Sequence, residues 1–240
     1  MTQDWTFPLA TNLISAMIFF FLGILSKNFL DIVRKKNPVH YFWNEGLKSS
    51  INIIIPSLSK NYDEFSLHTG HSDLKAFAIT SSLLSSFHNN ADEIKMIEAR
   101  YVLDRLDENI VLIGGPITNE ITGEIMSNFK IPFSFEGHVL IDNYNNKKYE
   151  PKLDENGKIL EDYAFILKTK NPYNNKNTLI IIAGCYGYGT YSGAKALTDY
   201  DIFRKIKRNG TFKSIGLIVK SHIINGIPQR PFLIDSFKLE

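Results

Sequence analysis

The stretch Thr178–Thr190, TLIIIAGCYGYGT, decides the fold that the sequence predicts. Its first part, Thr178–Ala183, is a continuous aliphatic and β-branched run that stops at Gly184, as expected for a strand buried on both faces. A helical pattern follows from Ser192 to about Lys207. A buried strand followed by a helix is the repeating unit of a parallel α/β sheet, so this stretch predicts an α/β fold.

Two other runs in the chain have the same character. Ile51–Ile55 (INIII) is stopped by Pro56, and Asn109–Ile113 (NIVLI) is ended by a Gly-Gly-Pro turn. Between the second run and Thr178 lies a polar, turn-rich region, residues 132–172, whose Asn-Gly pair is typical of a β-hairpin. We therefore predict a Rossmann-like, mostly parallel α/β domain over residues 49–240, with 132–172 as an antiparallel β-hairpin insertion at the sheet edge.

The N-terminal region has a different composition. Leu9–Leu25 reads LATNLISAMIFFFLGIL, which with its neighbours reaches the roughly 20 apolar residues that cross a bilayer. Arg34, Lys35 and Lys36 follow, and basic flanks stay on the cytoplasmic side. We predict a transmembrane helix over residues 1–30 and a basic juxtamembrane connector over 31–48. The predicted location is the cell inner membrane, single-pass, with the N-terminus out and the globular domain cytoplasmic.

Charge and cysteine content exclude several function classes. The 27 basic and 25 acidic residues give a net charge of +2, too weak a field to indicate DNA or RNA polymers as partners. The single cysteine, Cys185, excludes an intramolecular disulfide, and no Cys/His cluster has zinc spacing. We therefore predict no metal and no cofactor.

Three glycine-containing turns are predicted at the carboxyl ends of strands, where α/β sheets bind ligands. They are residues 69–73, 114–119 and 184–190, and each is predicted to precede a helix N-terminus, which attracts anions. We expect a nucleotide-like small-molecule ligand there, with two tyrosines available to stack on a base. The candidate ligand-binding residues are Gly70, Asp73, Gly114, Gly115, Thr118, Asn119, Asp162, Tyr186, Gly187, Tyr188, Gly189 and Thr190.

No catalytic constellation accompanies these turns. No histidine is placed by the sequence to act as a base for Cys185, and residues 189–195 lack the spacing of a phosphate-binding P-loop. An anion-binding edge without a catalytic set favours sensing over turnover, so no catalytic residue is predicted.

The predicted anchor, the Rossmann-like domain and the turns at 114–119 and 184–190 together resemble one group of proteins. It comprises membrane-anchored effectors of bacterial cyclic-nucleotide antiviral signalling, in which a soluble domain binds a cyclic oligonucleotide and the membrane segments disrupt the lipid bilayer. The resemblance implies a nucleotide-sensing protein of antiphage defence that acts as a homo-oligomer, because a lone helix cannot form a pore. Two alternatives remain open: a membrane-tethered enzyme acting on a nucleotide or nicotinamide compound, and a non-enzymatic scaffold or assembly module.

Overall fold

The structure, a computed structural model, describes residues 15–26, 37–44, 47, 50–57, 64–87, 93–102, 104–207 and 213–239. The α-helices are α1 (residues 15–26), α2 (Pro38–Asn44), α3 (Glu64–Ser85), α4 (Glu120–Asn128), α5 (Gly187–Ala196) and α6 (Tyr200–Lys207), and a short 3₁₀-helix covers Ala99–Tyr101. The strands are β1 (Ile51–Ile55), β2 (Ile94–Glu98), β3 (Asn109–Ile113), β4 (Phe133–Glu136), β5 (Val139–Asp142), β6 (Lys147–Tyr149), β7 (Lys152–Leu153), β8 (Ile159–Lys170), β9 (Thr178–Gly184), β10 (Ile215–Ile224), β11 (Ile227–Pro228) and β12 (Phe232–Lys238).

The large sheet is mixed, and the predicted Rossmann-like, mostly parallel sheet is wrong. Its strand order is β11-β10-β8-β9-β3-β1-β2, with β12 beside β10 and β7 beside β8. Strands β2, β1, β3 and β9 run parallel to one another. Strand β8 is antiparallel to β7, β9 and β10, and β10 is antiparallel to β11 and β12. Most strand pairings in this sheet are therefore antiparallel.

Strand β8 explains why the prediction failed. Residues 132–172 were expected at the sheet edge, but Ala164–Lys168 of β8 are fully buried in the middle of the sheet, between β9 and β10. Only residues 171–177 connect β8 to β9. Parallel neighbours need a crossover of a dozen or more residues, so this short connection makes the pair antiparallel. The hairpin character of the region is present, because β4, β5 and β6 form a separate three-stranded antiparallel sheet.

The central part of the large sheet is covered on both faces. Helices α2, α3, α5 and α6 cover one face, where Phe42 and Phe203 belong to the same hydrophobic core as the isoleucines of the parallel strands. Buried Lys168 reaches the same side and donates from Nζ to the Phe42 carbonyl, which ties α2 to the sheet. Helix α4 and the small sheet cover the other face through Ile125, Phe133 and Leu140. The result is a three-layer domain with the strands at its centre.

The N-terminal helix does not match the predicted membrane span. Of the predicted span over residues 1–30, the structure describes residues 15–26, which are helical and exposed. Among the residues that the structure describes, no helix is both long and apolar enough to cross a membrane. The predicted single-pass inner-membrane location is therefore wrong. Residues 1–14 and 27–30 of the predicted span, and residues 31–36 of the predicted connector with its basic side chains, lie outside the described residues.

One edge of the large sheet brings the candidate residues together. Strands β1, β3 and β9 are parallel neighbours, so their carboxyl ends lie at the same edge, which we call the carboxyl edge. The turn at 114–119 leads from β3 to α4 there, and the turn at 184–190 leads from β9 into α5. Strand β8 is antiparallel and begins at this edge, which brings Asp162 next to the second turn.

Candidate functional site

Asn119 closes the turn at 114–119. Its Oδ1 accepts hydrogen bonds from the backbone N–H groups of Ile121 (3.1 Å) and Thr122 (3.2 Å), which makes it the N-cap of α4. Its Nδ2 donates to the carbonyls of Ile113 (2.8 Å) and Ile54 (3.3 Å). Asn119 is fully buried and joins the ends of β1 and β3 to the start of α4. Two of the helix N–H groups that were expected to meet an anion, those of Ile121 and Thr122, are therefore bonded within the chain.

The other residues of this turn determine its backbone conformation and packing. Gly114 has φ +101°, in the left-handed region, and a Cβ there would lie 2.9 Å from Pro56 Cγ. Thr118 donates from Oγ1 to the Gly115 carbonyl at 3.3 Å. Gly115 has more room, because its nearest contact to a Cβ would be the Gly184 carbonyl at 3.4 Å. That contact shows that the two turns lie side by side at the carboxyl edge.

Asp162 closes the turn at 184–190. One carboxylate oxygen, Oδ1, accepts from the backbone N–H groups of Tyr163 (2.8 Å) and Tyr186 (3.2 Å), and Oδ2 accepts from Gly189. The carboxylate therefore occupies the N-terminus of α5, the position where a bound anion was expected. Asp162 is completely buried, and burial raises its pKa well above the usual range although its three backbone donors act in the opposite direction.

Close backbone packing explains the glycines of the second turn. A Cβ on Gly184 would lie 2.2 Å from the Thr190 nitrogen, and a Cβ on Gly189 would lie 2.2 Å from the Tyr163 carbonyl oxygen. Thr190 accepts from the Gly184 N–H through Oγ1 at 3.1 Å. The first turn of α5 therefore packs directly on β8 and leaves no space between them for a ligand.

Aromatic side chains surround the second turn. The Tyr186 ring stacks on the His138 ring, with centroids 4.0 Å apart and planes 14° apart, and His138 Nδ1 lies 2.9 Å from the Cys185 carbonyl oxygen. Tyr188 is half-buried, with its hydroxyl beside Gly226 of the turn between β10 and β11. Both tyrosines, like Gly187 between them, are placed at the carboxyl edge, and Tyr186 stacks on a histidine of its own chain.

Cys185 is buried beneath this aromatic cover. Burial and the nearby Asp162 raise the pKa of its thiol well above the usual value, so the reactive thiolate is disfavoured. Within the described ranges, no group of three or more His, Cys, Asp or Glu side chains is arranged to hold a metal ion.

The third predicted turn, 69–73, is not a strand-to-helix turn. Gly70 and Asp73 both lie inside α3, which begins at Glu64, so neither is at a helix N-terminus. Asp73 is 2% exposed, and neither carboxylate oxygen has a hydrogen-bond partner. Burial raises its pKa to about 7. The structure therefore places the turns at 114–119 and 184–190 next to each other and next to Asp162. The 69–73 segment is part of a helix and does not form a turn beside them.

One cluster of charged and aromatic side chains at the sheet surface was not predicted from the sequence. Lys220 forms an ion pair with Glu161, and His222 Nδ1 lies 3.2 Å from the second oxygen of the same carboxylate. Lys220 also lies over the Tyr163 ring at 5.5 Å, and the His222 and Phe232 ring centroids are 5.6 Å apart. Hydrogen bonding with Lys220 lowers the pKa of Glu161 and raises that of Lys220, so both stay charged. The signal was the alternation of residues along β10, which places side chains two apart on one face.

The fold and the closed turns define a three-layer α/β domain with a mixed central sheet. The chain belongs to the S-layer like family, outer domain, whose model matches residues 40–201. Comparison with curated proteins gives no match. The family is not one of nucleotide binding or antiviral defence, so the prediction of a transmembrane, nucleotide-binding, antiviral signalling protein is wrong.

Proposed function

We propose that this chain is a non-enzymatic assembly domain whose copies associate through an uncovered part of its central sheet. The family description refers to an S-layer, and a layer requires contacts between neighbouring molecules. The internal closure of both glycine-rich turns supports a role carried by the surface. The alternative of an enzyme acting on a nucleotide or nicotinamide compound stays a prediction.

An uncovered part of the large sheet carries the proposal. Ser221 and Ile223 of β10 are buried, so strand alternation places the intervening residues on the opposite face. Ile224 pairs in register with Ile227 of β11, and these two side chains are 58% and 64% exposed. We call this surface the open sheet face and define it by Glu161, Lys220, His222, Ile224, Ile227 and Phe232.

We propose a second copy of the chain as the partner that binds the open sheet face. A two-fold contact places the same surface opposite itself, so the surface must complement itself. The open sheet face carries both signs of charge, with acidic Glu161 beside basic Lys220. A two-fold axis can therefore bring the carboxylate of one copy near the ammonium of the other, while the exposed isoleucines bury apolar area at the centre.

Sedimentation velocity of the full chain over a range of concentrations tests the proposal. We expect the wild-type protein to form dimers or larger assemblies and the Ile224→Glu/Ile227→Glu double variant to be monomeric. Four buried, unpaired carboxylates at the centre of the contact, two from each copy, would cost several kcal/mol, enough to reduce the association constant at least 100-fold.

Ile117→Glu is the matched control, because Ile117 is also exposed (70%) and lies on the 114–119 turn, outside the open sheet face. It should associate like the wild type. If the wild-type chain stays monomeric at every concentration, the proposed assembly role is wrong. Assembly that persists in the double variant would place the contact elsewhere, including on the exposed apolar helix α1.

A further inference from the structure

The buried face of α3 contains polar atoms without partners. Asp73, Ala76, Thr80 and Leu84 follow one another at helical spacing, so they share a face, and each is at most 2% exposed. Both carboxylate oxygens of Asp73 and the Thr80 hydroxyl lack hydrogen-bond partners. Removing a polar group from water without a compensating bond is costly, and for a charged carboxylate the cost is much larger.

The elements around α3 carry few groups that could neutralise this carboxylate. Helix α3 packs against α5, β1, β2 and β3. The titratable and charged residues of these four elements are Tyr188, Tyr191 and Lys195 on α5 and Lys95 and Glu98 on β2, while β1 and β3 carry none.

Lys195 and Glu98 have partners other than Asp73, and Lys95 is exposed. Lys195 Nζ donates to the Pro228 and Gln229 carbonyls at 3.3 and 3.5 Å, and Glu98 pairs with Arg100 at 2.9 Å. On α3 itself, His71 and Lys75 are exposed, and Lys75 lies over the Tyr191 ring of α5 at 5.8 Å. Asp73 is therefore a buried carboxyl group without a hydrogen-bond partner, and burial is the one cause that raises its pKa.

We propose that Asp73 is a proton-sensitive element of the fold, and that loss of its proton loosens α3 from the helix and strands against which it packs. In the protonated form the buried group is neutral and the helix face stays dry. In the ionised form the carboxylate requires water, which it reaches when α3 moves away from its neighbours or opens locally. This inference does not depend on the proposed assembly role.

The direction of the pH effect follows from the two forms of the group. In a locally opened α3, Asp73 is in water and its pKa is near the usual 3.8, whereas burial raises the pKa to about 7. Between these values the closed helix holds a proton that the opened helix has lost. Closing is therefore favoured at low pH, and this stabilisation is lost as the pH rises through about 7.

Hydrogen exchange of the full chain, measured by mass spectrometry between pH 5 and 8 and corrected for intrinsic exchange rates, tests the proposal. We expect the opening constant of peptides from α3 to rise about tenfold per pH unit up to pH 7 and to level off above it. In Asp73→Asn the profile should be flat. Asp104→Asn, which changes an exposed aspartate between β2 and β3, should keep the wild-type profile.

Asp73→Leu is a second variant in case the buried amide disturbs packing, and it too should have a flat profile. The readout is restricted to α3, because Asp162 is hydrogen-bonded to the first turn of α5 and can add its own pH dependence there. Wild-type α3 protection that does not change with pH would overturn the proposal. So would a wild-type pH profile in either Asp73 variant.

Discussion

The turns at 114–119 and 184–190 are built alike and closed differently. Each follows a buried parallel strand and leads into a helix at the same edge of the sheet. The first is closed by Asn119, a neutral amide within the turn itself, and the second by Asp162, a carboxylate from the neighbouring antiparallel strand. A glycine-rich turn before a helix therefore does not identify a ligand site until the side chains that reach its N–H groups are known.

The glycines of the two turns also differ in how tightly the backbone packs around them. A Cβ on Gly189 would overlap the backbone of β8. A Cβ on Gly115 would lie 3.4 Å from its nearest atom, the Gly184 carbonyl oxygen, which is an ordinary contact distance. This contrast leads to the largest effect that we expect.

Gly189→Ala should lower the free energy of unfolding by at least about 3 kcal/mol, because its Cβ would lie 2.2 Å from the Tyr163 carbonyl and the α5 backbone would have to move. Gly115→Ala is the paired variant in the first turn and should change the free energy of unfolding by less than about 1 kcal/mol. Urea denaturation followed by circular dichroism measures both. Equal losses in the two variants would show that the two turns are not packed differently.

Exchanging the closing side chains probes the chemistry of each turn. Asp162→Asn places an amide N–H₂ among backbone donors, and Asn119→Asp places an oxygen against the carbonyls of Ile54 and Ile113. In the first variant a donor faces donors, and in the second an acceptor faces acceptors. We therefore expect each variant to lower the free energy of unfolding by about 2–3 kcal/mol. The same denaturation experiment checks this, and a neutral result for either would mean that its hydrogen bonds do not hold the turn.

The smallest expected effect concerns the aromatic cover of the second turn. His138→Ala removes the ring stacked on Tyr186 and should cost about 1 kcal/mol. The exposed Ile117 of the first turn has no such role, and Ile117→Ala should stay within about 0.5 kcal/mol of the wild type. Thermal unfolding of the two variants side by side measures the difference. A larger destabilisation by Ile117→Ala than by His138→Ala would contradict the role given to the stacked rings.

The positions of several strands could be predicted from the sequence, whereas the character of the sheet could not. Strands β1, β3 and β9 are aliphatic runs ended by proline or glycine, and local composition is enough to find them. Strand β8 lies in a polar, turn-rich region, and its central place depends on pairing with β10, about 50 residues later in the chain. Pairing between distant segments leaves no local signal.

The same limit applies to the candidate residues. The turns at 114–119 and 184–190 and Asp162 were candidates in the sequence, but the sequence could not show that this carboxylate fills the N-terminus of α5. Gly70 and Asp73 were expected in a turn because the start of α3 could not be located from residue spacing alone. The open sheet face was missed, since its members come from four strands and have no shared motif.

Cys185 has a practical consequence for the experiments described above. It is the chain's single cysteine, and its thiol is both buried and disfavoured as a thiolate. Maleimide reagents should leave the folded wild-type protein unlabelled, so a cysteine introduced on the surface can carry a fluorophore or spin probe without removing the native one. Distances between labelled copies can then be measured in an otherwise unaltered chain.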